Sequence, residues 1–366
     1  MNTIAAAVIP APGAPVEIRS YPEPDLQPGD ALLEVELSEV CGTDVHLRDG
    51  RLAGVPYPLI PGHVSVGRLA KVNGALRDAD GIPLREGDRV TFLDVHRTCN
   101  ACWYCLVARA STRCPERRVY GITYGEADGL AGGWAEAIHL KAGTRILPVG
   151  KLSGELFMAG GCALPTSLHA IERAGILPGD TVLVLGSGPV GLSAIMLARL
   201  TGASHVLCIG APAMRLEAAR DAGASDVLDF TSVPSAAQQE WVRERTHGRG
   251  ADVTIEATGA PAAVVAAMRA TRDAGRVVVV GQYTDHGDVS FNPHTDLNRR
   301  HLDVRGCWGS DFSHVHRAVR VLSDPEHAKP WSRIALSRYS LGHADDALAD
   351  VAAGRVIKAL VDPRAT

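Results

Sequence analysis

The sequence predicts an α/β protein of two domains, a mostly β, barrel-like first domain and a second domain built on a doubly wound parallel sheet. Three observations carry that prediction. Residues 1 to about 160 are rich in Pro and Gly and hold short apolar runs such as "ALLEVELSEV" and "DRVTFLDV", the spacing of strands in a barrel. From about residue 175 short apolar runs alternate with longer helical stretches, which calls for right-handed βαβ crossovers. Between the first such run and the first such helix lies a glycine-rich turn, "GSGPVG".

The elements of the second region follow in order. "DTVLVLG" reads as a short buried strand, and "PVGLSAIMLARLTG" as a helix with Pro189 in its first turn and Gly202 past its end. "SHVLCIG" (strand), "AMRLEAARDAGA" (helix), "DVLDF" (strand) and "AAQQEWVRERTHG" (helix) come next. "ADVTIEATG" (strand), "PAAVVAAMRATRDAG" (helix), "RVVVVGQ" (strand) and "HLDVRGCWG" (strand) complete a sheet of roughly six strands. This places the second domain at 165–308. The closing "GHADDALADVAAGRVIKALVDP" reads as a helix and strand that return, with the rest of 309–366, to the first domain at 1–164.

A chain of 366 residues matches about two domains. Hydrophobic content of 46% and charged content of 21% are those of an ordinary soluble globular protein. A net charge of -4 offers no basic face for a nucleic acid. No apolar run reaches the ~18 residues of a membrane span. The N-terminus has no basic leader and is broken by Pro10, Pro12 and Pro15, so it reads as a strand and turn, not a secretion signal. The expected compartment is the reducing cytoplasm, where disulfides are disfavoured.

The turn places Gly186, Gly188 and Gly191 as G-x-G-x-x-G after a strand, with Pro189 and Val190 opening a helix. The first glycine permits the tight turn, the second lets backbone approach a pyrophosphate, and the third lets helix pack on sheet. The helix start then offers unpaired N–H groups to phosphate. The next strand would end in a carboxylate if it gripped the ribose of NAD, but here it ends in Gly210, with Arg215 five residues on. That tilts the expected coenzyme from NAD toward NADP.

Cys99, Cys102, Cys105 and Cys114 form C-x2-C-x2-C-x8-C within a lobe at about 95–118. Four thiols in one short loop of a reduced protein point to a closed tetrahedral zinc site, with an iron–sulfur cluster as the chemical rival. Such a site is scaffold and has no open position for chemistry. Cys208 and Cys307 sit in strands of the second domain and read as inert core thiols. Cys41, His63 and Cys162 would suit a zinc ion with an open fourth position, but spacing alone does not join residues so far apart.

"CGTDVH", "PGH", the four-cysteine lobe, "GGWAEAI", "GCALPTSLHA", "GSGPVG" and "GRVIKALVDP" occur in that order along the chain. In these the sequence resembles the zinc-dependent medium-chain alcohol dehydrogenases over nearly its full length. The resemblance implies a GroES-like catalytic domain interrupted by a Rossmann coenzyme domain. It implies Cys41, His63 and Cys162 as catalytic zinc ligands, and Thr43 and His46 as the relay that carries the substrate proton to solvent. It also implies Asp44 as the carboxylate orienting the ligand histidine, Thr166 beside the nicotinamide, and Lys358 at the pyrophosphate. Zinc would then lower the pKa of a bound alcohol, and a hydride would pass between a primary, secondary or polyol-type alcohol and NAD(P). Relatives pair through their coenzyme domains, which implies a homodimer or homotetramer.

Two positions depart from the family pattern. Val64 stands where the family has Glu after the ligand histidine, and the last gap of the lobe is x8 where the family has x7. A zinc-independent quinone or enoyl reductase on the same fold, and a dinucleotide-binding relative without catalysis, are the alternative readings. Among single residues, His96 reads as a cleft or surface histidine, Arg299 and Arg300 as an anion site or a solvated loop, and His314 and His316 as exposed helix residues.

Overall fold

The computed structural model describes residues 3–365. The chain divides into two compact units, one formed by residues up to 162 with 311–323 and 335–366, the other by 163–310 with 324–334.

In the first unit the run "ALLEVELSEV" becomes the strand Ala31–Val40, and this strand is the spine of the sheet. It pairs antiparallel with Ser65–Val72 on one side and with Lys358–Val361 on the other, while Ala137–Leu140 joins its first half. The sheet continues outward to Arg89–Phe92 and Ile146–Pro148 at one edge and to Leu336–Tyr339 at the other. Leu33, Val35, Leu69, Val90 and Ile138 pack as one buried cluster. Val8, Val40, Trp134, Leu348 and Val361 pack as a second. Each such side chain removed from water contributes about 1.5–3 kcal/mol. The pairing register has a local consequence. Ser38 lies opposite Ser65, and Val40 lies opposite Ala359, so the spine's end, the residues just before Ser65 and the start of the last strand converge.

The cysteine lobe has little core of its own. Among residues 99–114 only Cys114 is buried, and Trp103, Leu106 and Val107 are each more than 60% exposed.

The second unit holds the expected parallel sheet of six strands. Its order is Asp226–Asp229, His205–Gly210, Thr181–Leu185, Ala251–Glu256, Thr271–Val279, Asp303–Gly306, and every neighbouring pair is parallel. In chain order that is 3-2-1-4-5-6, the doubly wound Rossmann arrangement with its switch point beside Thr181–Leu185. Leu183, Leu185, Leu207, Ile209 and Val277 form its core with Val242 and Met268 from the helices.

Residues 324–334 belong to this second unit, although the sequence reading assigned all of 309–366 to the first. The cause is Trp331, which is fully buried and donates its Nε1–H to Ser193 Oγ at 3.3 Å, on the helix Pro189–Leu200. His314 also differs from expectation. In the helix Phe312–Ser323 it is buried with Val315, Ala318, Val319 and Leu322, because residues three and four apart share the inward face. Cys208 and Cys307 are buried, and burial pushes each thiol up to about 12. No helix among the described residues is long and apolar enough to cross a membrane.

Candidate metal and coenzyme sites

Cys41 ends the spine strand and starts the helix Gly42–Arg48, where it is the N-cap. Its sulfur accepts from Thr43 N–H at 3.3 Å, and the Asp44 carboxylate accepts from Cys41 N–H at 2.8 Å. This is a capping box with a thiol in the place of a hydroxyl. The antiparallel pairing already described brings His63 alongside, and its Nε2 lies 3.9 Å from Cys41 Sγ. Cys162 follows the helix Gly154–Gly160 through Gly161. The donor atoms of Cys41, His63 and Cys162 all lie within 4.8 Å of one another.

The protons of this cluster fit a cation's ligands. A hydrogen bond from the Cys162 thiol, with the His63 imidazole alongside, holds the Cys41 thiol well below its ordinary range against the effect of burial. The same hydrogen bond, then burial and the charges of Cys41 and Glu39, push Cys162 well up. Burial works against a charge on His63, yet the Cys41 thiolate and Asp44 carry its imidazole up to about 10. A thiolate beside an imidazolium and a thiol is a set whose protons a divalent ion displaces. Two soft sulfurs and one imidazole suit zinc.

Thr43 and His46 share one face of the helix Gly42–Arg48, three positions apart, and both are half-buried. Asp44, expected to orient the histidine ring, makes its hydrogen bonds to backbone: Cys41 N at 2.8 Å and Gly62 N at 3.4 Å. It thereby ties the two ligand-bearing turns together. His63 Nδ1 is buried without a hydrogen-bond partner among the described residues. Lys358, expected at a pyrophosphate, is 2% exposed and forms an ion pair with Glu39. Glu39 was not singled out in the sequence. It is 1% exposed, accepts from Cys162 N–H at 2.6 Å, and lies 3.5 Å from Cys162 Sγ. A signal for it exists in "ALLEVELSEV": Glu34 and Glu36 fall on one parity of the strand, but Glu39 shares the parity of Leu33, Val35 and Leu37.

The four lobe cysteines also gather. Cys99 Sγ lies 3.6 Å from Cys114 Sγ and 4.0 Å from Cys105 Sγ, and Cys102 Sγ lies 3.6 Å from Cys105 Sγ. A tetrahedron with ~2.3 Å metal–sulfur bonds has edges of about 3.8 Å. Backbone N–H groups of Ala101 and Cys102 point at Cys99 Sγ, and they hold that thiol down at about 7. Amides aimed at sulfur are what a thiolate ligand needs, so these residues fit a closed zinc site.

In the second unit the glycine turn precedes the helix Pro189–Leu200, with Gly188 as N-cap and Pro189 and Val190 in the first turn. A Cβ on Gly188 would meet nothing within 4 Å, so there is open space before the helix start, where a phosphate binds. Gly191 lies where a Cβ would run into the carbonyl of Gly186. Gly210 ends its strand against Ser187, whose Cβ would lie 2.7 Å from any Cβ placed there. Arg215 is half-buried in the first turn of the helix Ala213–Asp221, and burial pushes its guanidinium down from its ordinary value. Thr166 is half-buried in the helix Ala163–Ala174.

The remaining sequence candidates have structural roles. His96 lies 3.0 Å through Nε2 from Ala142 O and packs against Tyr120 and Tyr124. Arg300 donates to Met268 O at 2.7 Å, closing the end of the helix Pro261–Ala270, and pairs with Asp273 at 2.8 Å. Arg299 is exposed.

A dinucleotide-shaped turn in one unit and a soft three-donor cluster in the other define the class of zinc-type dehydrogenases. Residues 27–151 match the family described as alcohol dehydrogenase GroES-like domain, and residues 189–324 match zinc-binding dehydrogenase. The 5-exo-hydroxycamphor dehydrogenase of Pseudomonas putida is 32% identical over 95% of this chain and 95% of its own. A solved alcohol dehydrogenase from Thermotoga maritima is 30% identical, covers all of both chains and superposes with a TM-score of 0.93. A structure from Sinorhizobium meliloti 1021, provisionally described as a zinc-binding dehydrogenase bound to NADP, is 27% identical over 99% of this chain and 100% of its own, with a TM-score of 0.84. The chain belongs to the zinc-type medium-chain alcohol dehydrogenase family, and is an NAD(P)-linked alcohol oxidoreductase of that family.

Proposed function

We propose that the protein is a zinc-dependent alcohol dehydrogenase or carbonyl reductase that carries two zinc ions per chain and prefers NADP. The observation that carries the zinc reading is the convergence of Cys41, His63 and Cys162 donor atoms within 4.8 Å. Zinc held by them supplies Lewis acidity toward an alcohol or carbonyl oxygen. The chain's own residues do the rest. Asp44 fixes the turns that present Cys41 and His63 by accepting from the Cys41 and Gly62 backbone N–H groups. Thr43 and His46, stacked on one helix face, carry the substrate proton outward. The start of the helix Pro189–Leu200 holds the pyrophosphate, and Thr166 borders the nicotinamide. Cys99, Cys102, Cys105 and Cys114 hold the second ion as scaffold. The substrate is a small primary, secondary or polyol-type alcohol, or the matching carbonyl compound.

The NADP preference rests on Gly210 and Ser187. With Ser187 packed against it, position 210 has no room for the side chain that would accept from a ribose 2′-hydroxyl, and Arg215 offers a cation whose burial an anionic 2′-phosphate would offset. Replacing Arg215 with Ala is expected to weaken NADP binding about 10- to 100-fold, the worth of a charge-assisted hydrogen bond, with NAD binding within about twofold. Nicotinamide fluorescence titration checks both, and equal losses for the two coenzymes reject the preference.

All eight cysteines are thiols, which fits a reducing compartment such as the cytoplasm. The edge strand Asp303–Gly306 suits pairing between copies as a homodimer or homotetramer, and sedimentation distinguishes these from a monomer. Metal analysis combined with coenzyme reduction on an alcohol panel tests the main reading. Two zinc equivalents and chelator-sensitive turnover are expected, and turnover by protein lacking zinc at Cys41, His63 and Cys162 rejects it.

A further inference from the structure

The pairing of the spine strand with the last strand sets Leu360 opposite Glu39. Lys358, two residues earlier, points to the same face of the sheet, diagonal to Glu39. Both side chains are shut away from solvent at 1% and 2% exposure. The Glu39 carboxylate accepts from Cys162 N–H at 2.6 Å through one oxygen, while the other takes the Lys358 ammonium and lies 3.5 Å from Cys162 Sγ. Lys358 Nζ also reaches Gly160 O at 3.4 Å. Between them sits Gly161 with φ +47, where a Cβ would strike both the carboxylate and the ammonium. A residue without a side chain is required there for the Cys162 turn to descend onto the pair.

A buried ion pair is seldom a net stabiliser compared with apolar residues of the same volume, so its place in the fold calls for another cause. Ligation by Cys41 and Cys162 requires two thiolates. With Glu39 the same buried surroundings then hold three formal negative charges, of which a divalent ion offsets two. At low dielectric such charges repel strongly. We propose that Glu39 and Lys358 act together as positioning residues of the metal site, Glu39 clamping the Cys162 backbone through its N–H and Lys358 holding the Glu39 carboxylate in place beside the Cys162 sulfur. Lys358 therefore serves the metal cluster through Glu39. The inference rests on the zinc reading above.

The test is a cycle of three variants, Lys358→Met, Glu39→Gln and the double variant, each made in the full chain. Zinc affinity is read by chelator competition. Cobalt(II) replacement reports thiolate ligation by its sulfur-to-metal charge-transfer band, and coenzyme affinity is read by nicotinamide fluorescence. Lys358→Met leaves the Glu39 charge facing a thiolate. It is expected to weaken zinc at the Cys41, His63 and Cys162 site about 10- to 100-fold, the range for an outer partner of a metal ligand, and to diminish the charge-transfer band. Adding Glu39→Gln removes the uncompensated charge but keeps an acceptor for Cys162 N–H, so the double variant should recover affinity to within about threefold of the parent. It also keeps the cycle readable if Lys358→Met alone folds poorly, because it buries no unpaired charge. Coenzyme affinity should stay within about twofold in the double variant. Parent-like zinc affinity in Lys358→Met overturns the proposal, as does loss of coenzyme binding in the double variant with zinc intact. If the parent itself takes up only the lobe zinc, the zinc-dependent reading falls and this inference falls with it, a result distinct from either of those.

Discussion

Replacing Cys41 with Ser is expected to lower kcat/KM for alcohol oxidation by on the order of a thousandfold, while coenzyme affinity stays within about threefold. Serine caps helices well, so the hydrogen bond from Thr43 N–H and the turn at Gly42–Arg48 should survive. What is lost is a sulfur donor. The remaining imidazole and single thiolate hold zinc poorly, and a Lewis acid worth several kcal/mol in the transition state goes with it. The glycine turn lies in the other unit, which is why coenzyme binding should be spared. Steady-state kinetics, zinc content and nucleotide titration decide the matter. Full turnover with two zinc equivalents would refute a metal role for Cys41.

Replacing Cys99 with Ser should cost one zinc equivalent and open the lobe to proteolysis. The Cys99 thiol is held near 7 by two backbone amides. Little else fixes the segment, since Trp103, Leu106 and Val107 face solvent and only Cys114 is buried. Structural zinc contributes roughly 10–16 kcal/mol in small zinc-binding peptides. A loop with so few apolar contacts is therefore expected to depend on that ion for its fold. Trypsin should cleave at Arg109, Arg113 or Arg117 at least about tenfold faster than in the parent, and the melting temperature should fall. An unchanged cleavage pattern with two zinc equivalents would show that the lobe is held by something other than its metal.

How much of this was legible beforehand varies with the range of the interaction. The second unit could be read almost strand by strand, because each βαβ crossover is local and marked by runs such as "DTVLVLG" and by Gly186, Gly188 and Gly191. The gathering of the four lobe cysteines was equally plain, all four lying within one loop. The Cys41, His63 and Cys162 cluster was not readable from spacing. It arises from strand pairing between Ser38 and Ser65, and only the resemblance joined the three residues in advance. Glu39 escaped notice because a carboxylate in a strand ordinarily faces water, and its partner comes 319 positions later. Asp44 was seen, but a sequence does not reveal which backbone N–H groups a carboxylate will find. His314 was misjudged because a polar residue on a helix reads as outward-facing unless the apolar stripe is traced through Val315, Ala318 and Leu322.

The strand Lys358–Val361 is bonded to the spine strand that begins at Ala31. On the ribosome this imposes an order of events. The second unit ends at 334 and can close while synthesis continues, but the first unit lacks an interior strand until Lys358–Val361 clears the exit tunnel. Loss of Lys358–Val361 would strip a member from inside the sheet, and with it the lysine beside Cys162, so chains lacking it should emerge with one half folded and the other unable to finish.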